Sequence, residues 1–255
     1  MAGVAAAVLL AGCGPIDAGG PGDGDGGGGA AGGGSRGSGG GDGGSSAGIN
    51  PLDNPNGTEP GLGAITSSKD RSAAVKLIEK VPTKGRGPKT GYDRDEFGYA
   101  WADTAEGIPL ARNGCDTRND VLARDGEDLK YRSGSDCVLI SMTLEDPYTG
   151  KVIKWSKSAA AEVQIDHVMP LSYDWQMGAS QWSKAKRVQI ANDPLNLMPV
   201  DGPTNSAKGD SGPATWLPPS KTIRCSYAVR FAQVALKYEL SITSADKDAM
   251  LAQCR

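Results

Sequence analysis

From about residue 17 to residue 48 the chain is dominated by glycine, with Ser, Ala and Asp between. No segment there carries enough large apolar side chains to repay the entropy of ordering it. A folded unit has to come from the remaining roughly 170 to 190 residues, which is enough for one real core. The net charge of −3 also divides unevenly. Residues 1–60 hold six acids (Asp17, Asp23, Asp25, Asp42, Asp53, Glu59) and one base (Arg36), a balance of −5 that leaves +2 for the rest. A weakly basic domain on an acidic tether permits a polyanionic partner without requiring one. No block of Lys and Arg argues for tight nucleic-acid binding by charge alone.

The first ten residues are small and apolar, and Leu10-Ala11-Gly12-Cys13 follows. This resembles a bacterial lipobox, in which Cys13 becomes the lipidated first residue. The basic residue expected before the apolar run is missing. The sequence reading is a signal peptide over 1–13, a disordered glycine-rich linker over 14–60, and a folded domain over 61–255. A lipid anchor needs such a spacer to hold a domain off a membrane. The implied location is outward-facing on the cell membrane, or secreted. No stretch is long and apolar enough for a transmembrane helix.

Cys115, Cys137, Cys225 and Cys254 remain. Four cysteines in an exported domain suggest two disulfides, with three pairings possible. Cys115–Cys137 and Cys225–Cys254 are favoured, because each pair brackets one local segment. Zinc is disfavoured, since there is no CxxC pair and His167, the single histidine, is distant.

Helical patterning runs from Ile65 to Val81, where Pro82 stops it, and Lys84 to Gly91 is a basic, glycine-containing loop. Asp116 or Thr117 can cap a short helix running to Ala123. Cys137–Leu144 and Lys151–Trp155, joined by Asp146-Pro147-Tyr148-Thr149-Gly150, read as a β-hairpin. Val163–Val168 and Leu195–Val200 read as short strands. Residues 171–177, 180–191, 225–238 and 244–253 read as helices. Trp175, Trp182 and Trp216 are expected to be packing residues.

The stretch from Gln164 to Lys208 holds the chemistry. Asp166-His167 lies at the end of an apolar run, with Pro170 three residues on. Asn196 follows in Pro-Leu-Asn-Leu, and then Asn205-Ser206-Ala207-Lys208-Gly209-Asp210. At a strand end, adjacent side chains can both reach one site, although within a strand they alternate. A carboxylate and an amide oxygen suit a hard cation. A neutral imidazole can take a proton from water, and a lysine can neutralise charge on a phosphoryl oxygen. Such a set suits metal-assisted phosphodiester hydrolysis.

These motifs closely resemble those of the HNH (His-Me finger) endonucleases, in a branch similar to the nuclease domain of GmrSD-type restriction enzymes, here in a secreted bacterial lipoprotein form. The resemblance extends from about Tyr92 to Cys254. It implies an α+β fold with a ββα-metal core, added helices and a hairpin, stabilised by disulfides. It implies His167 as general base, Asp166 and Asn205 as metal ligands, Asn196 as the residue that ties the loop and orients His167, and Lys208 as a phosphate contact. Asn205 stands where many members have His, which favours a hard cation, Mg²⁺ first, with Mn²⁺ or Ca²⁺ as alternatives. The implied substrate is DNA, or RNA, cut with little sequence preference, and no protein partner is inferred. Arg118 could contact phosphate or pair with Asp116 or Asp120. Two rival readings are a catalytically silent, nucleic-acid-binding or structural envelope lipoprotein and an exported nuclease toxin.

Overall fold

A computed structural model describes residues 48–255. The expected leader, Cys13 and the first part of the expected linker lie outside the described residues. The remainder of that linker does not behave as one. Residues 48–63 lie across the domain, and their backbone groups are taken up by side chains from two helices. Gln233 donates to the Pro51 carbonyl at 2.6 Å, Ser226 to that of Gly63 at 2.6 Å, and Arg124 to that of Gly57 at 2.6 Å. Pro51, Gly57 and Leu62 are buried. The folded unit therefore begins about a dozen residues before the expected position 61. Satisfying buried backbone groups with distant side chains leaves no apolar period for a sequence reading to find.

The described residues form a mixed α+β domain. Helix α1 spans Ser68–Glu79 and starts where the Ser67 hydroxyl accepts from the Asp70 amide. Helix α2 spans Thr117–Asp125, and its cap is Asp116, which accepts from the Asn119 amide at 2.8 Å. A three-stranded antiparallel sheet follows, with β1 (Gly126–Tyr131), β2 (Leu139–Glu145) and β3 (Val152–Ser156) in spatial order. The pair β2–β3 is the expected hairpin. Strand β1 was not expected. Its sequence, Gly-Glu-Asp-Leu-Lys-Tyr, lacks β-branched residues, and its pairing with β2 slips register between Glu127 and Lys130. Pairing with a waiting strand edge overrides weak local propensity.

Strand β4 (Val163–His167) pairs antiparallel with β5 (Leu197–Asp201), from Val163 opposite Asp201 to His167 opposite Leu197. The chain between them carries α3 (Leu171–Gln176) and α4 (Lys184–Asn192), the latter starting later than expected, at the Ser183 cap. Helix α5 (Gly202–Lys208) begins directly after β5, with Asp201 capping the Thr204 amide at 2.9 Å. Gly202 has no room for a side chain, since a Cβ would stand 2.0 Å from the Ala161 carbonyl oxygen. Strand β4, strand β5 and helix α5 thus follow in that order, with α3 and α4 between the two strands.

The β4–β5 ribbon divides two apolar clusters. Val163, Ile165 and Leu197 face Val121, Leu122, Leu139, Met142 and Trp155. Met198 and Val200 belong to the larger cluster around α6 (Arg224–Lys237) and α7 (Ser244–Cys254). Helix α6 is its axis, with every residue from Cys225 to Ala235 buried. Trp175 packs with Tyr92 and Phe97, Trp182 with Tyr238, and Trp216 with Tyr148 and Tyr227. All three tryptophans are packing residues, as expected.

Both expected disulfides are present. Cys115–Cys137 ties the segment before α2 to the start of β2, and Cys225–Cys254 staples the first turn of α6 to the last turn of α7. Closing a loop of 29 residues restricts the unfolded chain by about 3 to 4 kcal/mol. The double change Cys225→Ala and Cys254→Ala is expected to lower unfolding free energy by about that amount, read from urea denaturation without reductant.

Candidate active site

The turn between β2 and β3 prepares one side of the site. Asp146 is fully buried and accepts from the Thr149 amide at 2.9 Å and the Asp201 amide at 3.1 Å. It thereby fastens the turn to the end of β5. Gly150 completes the turn in the left-handed region, at φ 74°, where a side chain is disfavoured. This positions Tyr148, whose hydroxyl donates to Asp166 at 2.5 Å.

Helix α5 prepares the same side. Asn205 and Lys208 are three residues apart and share a helix face. Gln164 and Asp166 are two apart on β4 and share a strand face. Asn205 Nδ2 donates to Gln164 Oε1 at 3.0 Å, and Lys208 Nζ donates to Asp166 at 2.7 and 2.9 Å and to the His167 carbonyl at 2.7 Å. Lys208 is 1% exposed and Asp166 5%. Burial pushes the Asp166 carboxyl up and the Lys208 ammonium down, and the contact between them opposes both shifts. Asp174 on α3 lies within electrostatic reach of Lys208. It is wholly buried with no hydrogen-bond partner on either oxygen among the described residues, and burial raises its pKa well above the usual carboxylate range.

His167 leaves β4 on the other face. Its Nε2 lies 3.0 Å from the Ala191 carbonyl oxygen. A carbonyl only accepts, so Nε2 carries the proton and Nδ1 holds the free lone pair. Trp101 stacks on the ring, with centroids 6.3 Å apart and planes 12° apart. Trp101 sits at φ 61°, in a loop where Leu110 and Arg112 also take positive φ. The imidazole is 8% exposed. Burial first, and then the Arg94 charge, lower its pKa to about 3, so at neutral pH it is uncharged.

Asn196 is fully buried. Its Oδ1 accepts from the Met169 amide at 2.8 Å, and its Nδ2 donates to the carbonyls of Met169 at 3.2 Å and Ile190 at 3.3 Å. It therefore clamps the chain just after His167 to the end of α4, beside Ala191. Arg118 feels the Asp116 charge without forming an ion pair to Asp116 or Asp120 among the described residues. It donates to the Val163 carbonyl at 3.4 Å and lies over the Trp155 ring.

Asp166 and Lys208 are thus brought into direct contact, with Asn205 beside them, while the His167 ring faces the opposite side of the ribbon and shares with them only its carbonyl. Sequence reasoning missed Tyr148, a turn residue, and Trp101, in an irregular loop. The adjacent aromatic run around Tyr99-Ala100-Trp101 was the available signal for the latter. No group of three or more His, Cys, Asp or Glu among the described residues is arranged to hold a metal ion. The donors of Asp166 and Asn205 do fit a hard cation in kind. Asn205 uses its amide nitrogen in the bond to Gln164, not its oxygen, and Asp166 already neutralises a positive charge.

Residues 116–253 match the family of GmrSD restriction endonuclease C-terminal domains. The match starts at the α2 cap and covers more than half of the chain, so the protein belongs to this family of nuclease domains. A secreted protein of Arthroderma benhamiae, described as uncharacterized, is 39% identical over 181 residues, which span 70% of this chain and 82% of the relative. That relative is fungal, and it gives no support to a bacterial lipoprotein branch. No solved structure matches. No helix among the described residues is long and apolar enough to cross a membrane.

Two opposed pH effects follow. The folded state holds His167 neutral down to about pH 3, whereas an unfolded histidine takes a proton near 6.5. The unfolded chain then binds more protons, so stability falls as pH drops through that window, by at most about 1.4 kcal/mol per unit. His167→Gln should flatten this slope in thermal melts between pH 4 and 6.5. Asp174 acts in reverse. Its raised pKa contributes stability at low pH that is lost as pH rises above the unfolded value. Asp174→Asn should therefore gain on the wild type, in melting temperature, as pH rises from 4 to 8.

Proposed function

We propose that the protein is an exported endonuclease of the His-Me finger type, hydrolysing phosphodiester bonds of DNA, or RNA, with low sequence specificity and with a divalent cation. Family membership supports the nuclease class, and the secreted relative supports export. A lipid on Cys13 is the anchor the leader sequence suggests. The observation that carries the catalytic reading is the imidazole. Its Nε2–H is held by the Ala191 carbonyl, so Nδ1 is left as the acceptor for a water proton, the arrangement a general base requires.

In this reading His167 Nδ1 takes the proton as water attacks phosphorus, the P–O bond to the leaving sugar oxygen breaks, that oxygen takes a proton from solvent, and the Ala191 carbonyl stabilises the imidazolium that forms. An anionic phosphate beside the ring raises its basicity, so the base strengthens when substrate is present. Asn196 fixes the backbone on which the ring depends. Asp166 and the Asn205 oxygen would hold the cation, Mg²⁺ first, and the chemistry it would supply there is Lewis-acid polarisation of phosphoryl oxygens. Lys208 would then give up Asp166 and become free to meet phosphate charge. The low exposure of His167 and Asp166 favours the rival reading, a silent nucleic-acid-binding or structural envelope protein.

Plasmid cleavage by the purified chain separates the two. Activity is expected with Mg²⁺, to be lost in EDTA, and to drop on the order of 10² to 10⁴-fold in His167→Ala. Equal cleavage before and after that change would remove His167 from its role. No cleavage of DNA or RNA with Mg²⁺, Mn²⁺ or Ca²⁺ would favour the silent protein.

A further inference from the structure

The basic loop that begins at Lys84 was given no substrate role above, yet its continuation leads to the site. Between residues 84 and 94 it carries Lys84, Arg86, Lys89 and Arg94 against one acid, Asp93. All four cationic residues are exposed. The fold is not using their charge to hold the loop. Among the described residues Lys84, Arg86 and Arg94 form no ion pair, and Lys89 reaches only Asp210, with both side chains about half exposed.

The loop is fastened instead through its backbone and its aromatic rings. Lys84 N donates to the Ile242 carbonyl at 3.0 Å and Gly87 N to that of Gln176 at 2.9 Å. Trp175 donates to the Thr90 carbonyl at 3.2 Å, and Tyr92 packs edge-on against Trp175 and Phe97. Gly87 lies so close to α3 that a Cβ would stand 2.9 Å from the Gln176 oxygen. Arg86 is placed over the Tyr173 ring, 4.4 Å from its centroid.

A segment held this firmly usually turns some of its long side chains to the task. Here Lys84, Arg86 and Arg94 form no ion pair among the described residues, and all four long side chains are of one sign. The loop also runs along a defined course, from the end of α3, where Gly87 meets Gln176, past Asp210, two residues beyond Lys208, to Arg94. Its continuation delivers Trp101 onto the His167 ring. Exposed cations of one sign, spaced along a firmly held loop that leads to the ring covering His167, match the spaced charges of a phosphate backbone, and a rigid arrangement lowers the cost of binding one.

We propose that Lys84, Arg86, Lys89 and Arg94 form a track that holds the sugar-phosphate backbone of the nucleic acid and leads it to His167. The proposal rests on the nuclease reading for its substrate. It makes the contact independent of sequence, since phosphate contacts position a strand and do not read it.

The test is binding of a fluorescent DNA duplex by anisotropy across a salt series. The full chain carries His167→Gln to prevent cutting. The triple change Lys84→Ala, Arg86→Ala and Arg94→Ala is expected to weaken binding on the order of tenfold or more and to reduce the slope of log affinity against log salt by about 2 to 3, near 0.9 per lost phosphate contact. Neutralising Lys69 and Lys76, exposed on α1, should leave the slope nearly unchanged. Melting temperatures of the variants confirm that each is folded. Binding with the same affinity and slope after the triple change overturns the track and leaves the nuclease reading intact. A parent that binds no DNA or RNA at any salt overturns both.

Discussion

The contact on which the site's architecture depends is a buried lysine. Lys208 gives its three ammonium protons to a carboxylate on β4 and to a carbonyl at that strand's end. With Asn205 on Gln164, this locks α5 alongside the β4–β5 ribbon, so the helix cannot rotate or slide without breaking it. Such a pair is a weak source of net stability, because both charges lose their water. Removing one partner is another matter, since the survivor is left buried and uncompensated, at about 3 to 5 kcal/mol. The pair therefore specifies an arrangement more than it strengthens the fold. It also sets a condition on chemistry. A second cation can reach Asp166 only by exchange with the first, and Tyr148 already occupies part of the same carboxylate.

The ribbon's position explains why two neighbours in sequence do different work. Apolar clusters lie on both of its faces, so strand alternation sends Asp166 to the Lys208 side and His167 to the Trp101 side. The sequence reading treated the pair as one site at a strand end. That expectation rests on adjacency, while in the fold the polar groups of the two faces meet only through the His167 backbone. The closed imidazole is a consequence of the same placement. A ring on a buried ribbon face needs cover, and Trp101 supplies it at the expense of a backbone conformation that residues other than glycine rarely adopt.

Much of this was legible in the residues, for identifiable reasons. Asp116 as a cap and the hairpin with its Asp-Pro-Tyr-Thr-Gly turn follow from local rules. The two cysteine pairs bracket short segments, which made their partners readable. Asn196 was marked by the family resemblance rather than by any local rule. What escaped has a common character. Tyr148 touching Asp166, Trp101 covering His167, Ala191 accepting from it, and α6 side chains holding residues 48–63 are contacts between segments far apart in the chain. No periodicity marks them. A buried lysine is equally hard to foresee, because composition places Lys on the surface and only its partners justify the exception.

Arg124 has a mechanical consequence. Its guanidinium binds the Gly57 carbonyl at 2.6 Å, the Pro194 carbonyl at 2.8 Å, the Leu197 carbonyl at 2.8 Å and the neighbouring Asp125, which in turn accepts from the Gly61 amide. The point where the chain enters the domain is therefore riveted to the first residue of β5, the strand that leads into α5. A pull on the N-terminal side would load these bonds in shear before it reached the core. Tension and site geometry share one fastener, so force applied at the entry would be felt first at the β4–β5 ribbon.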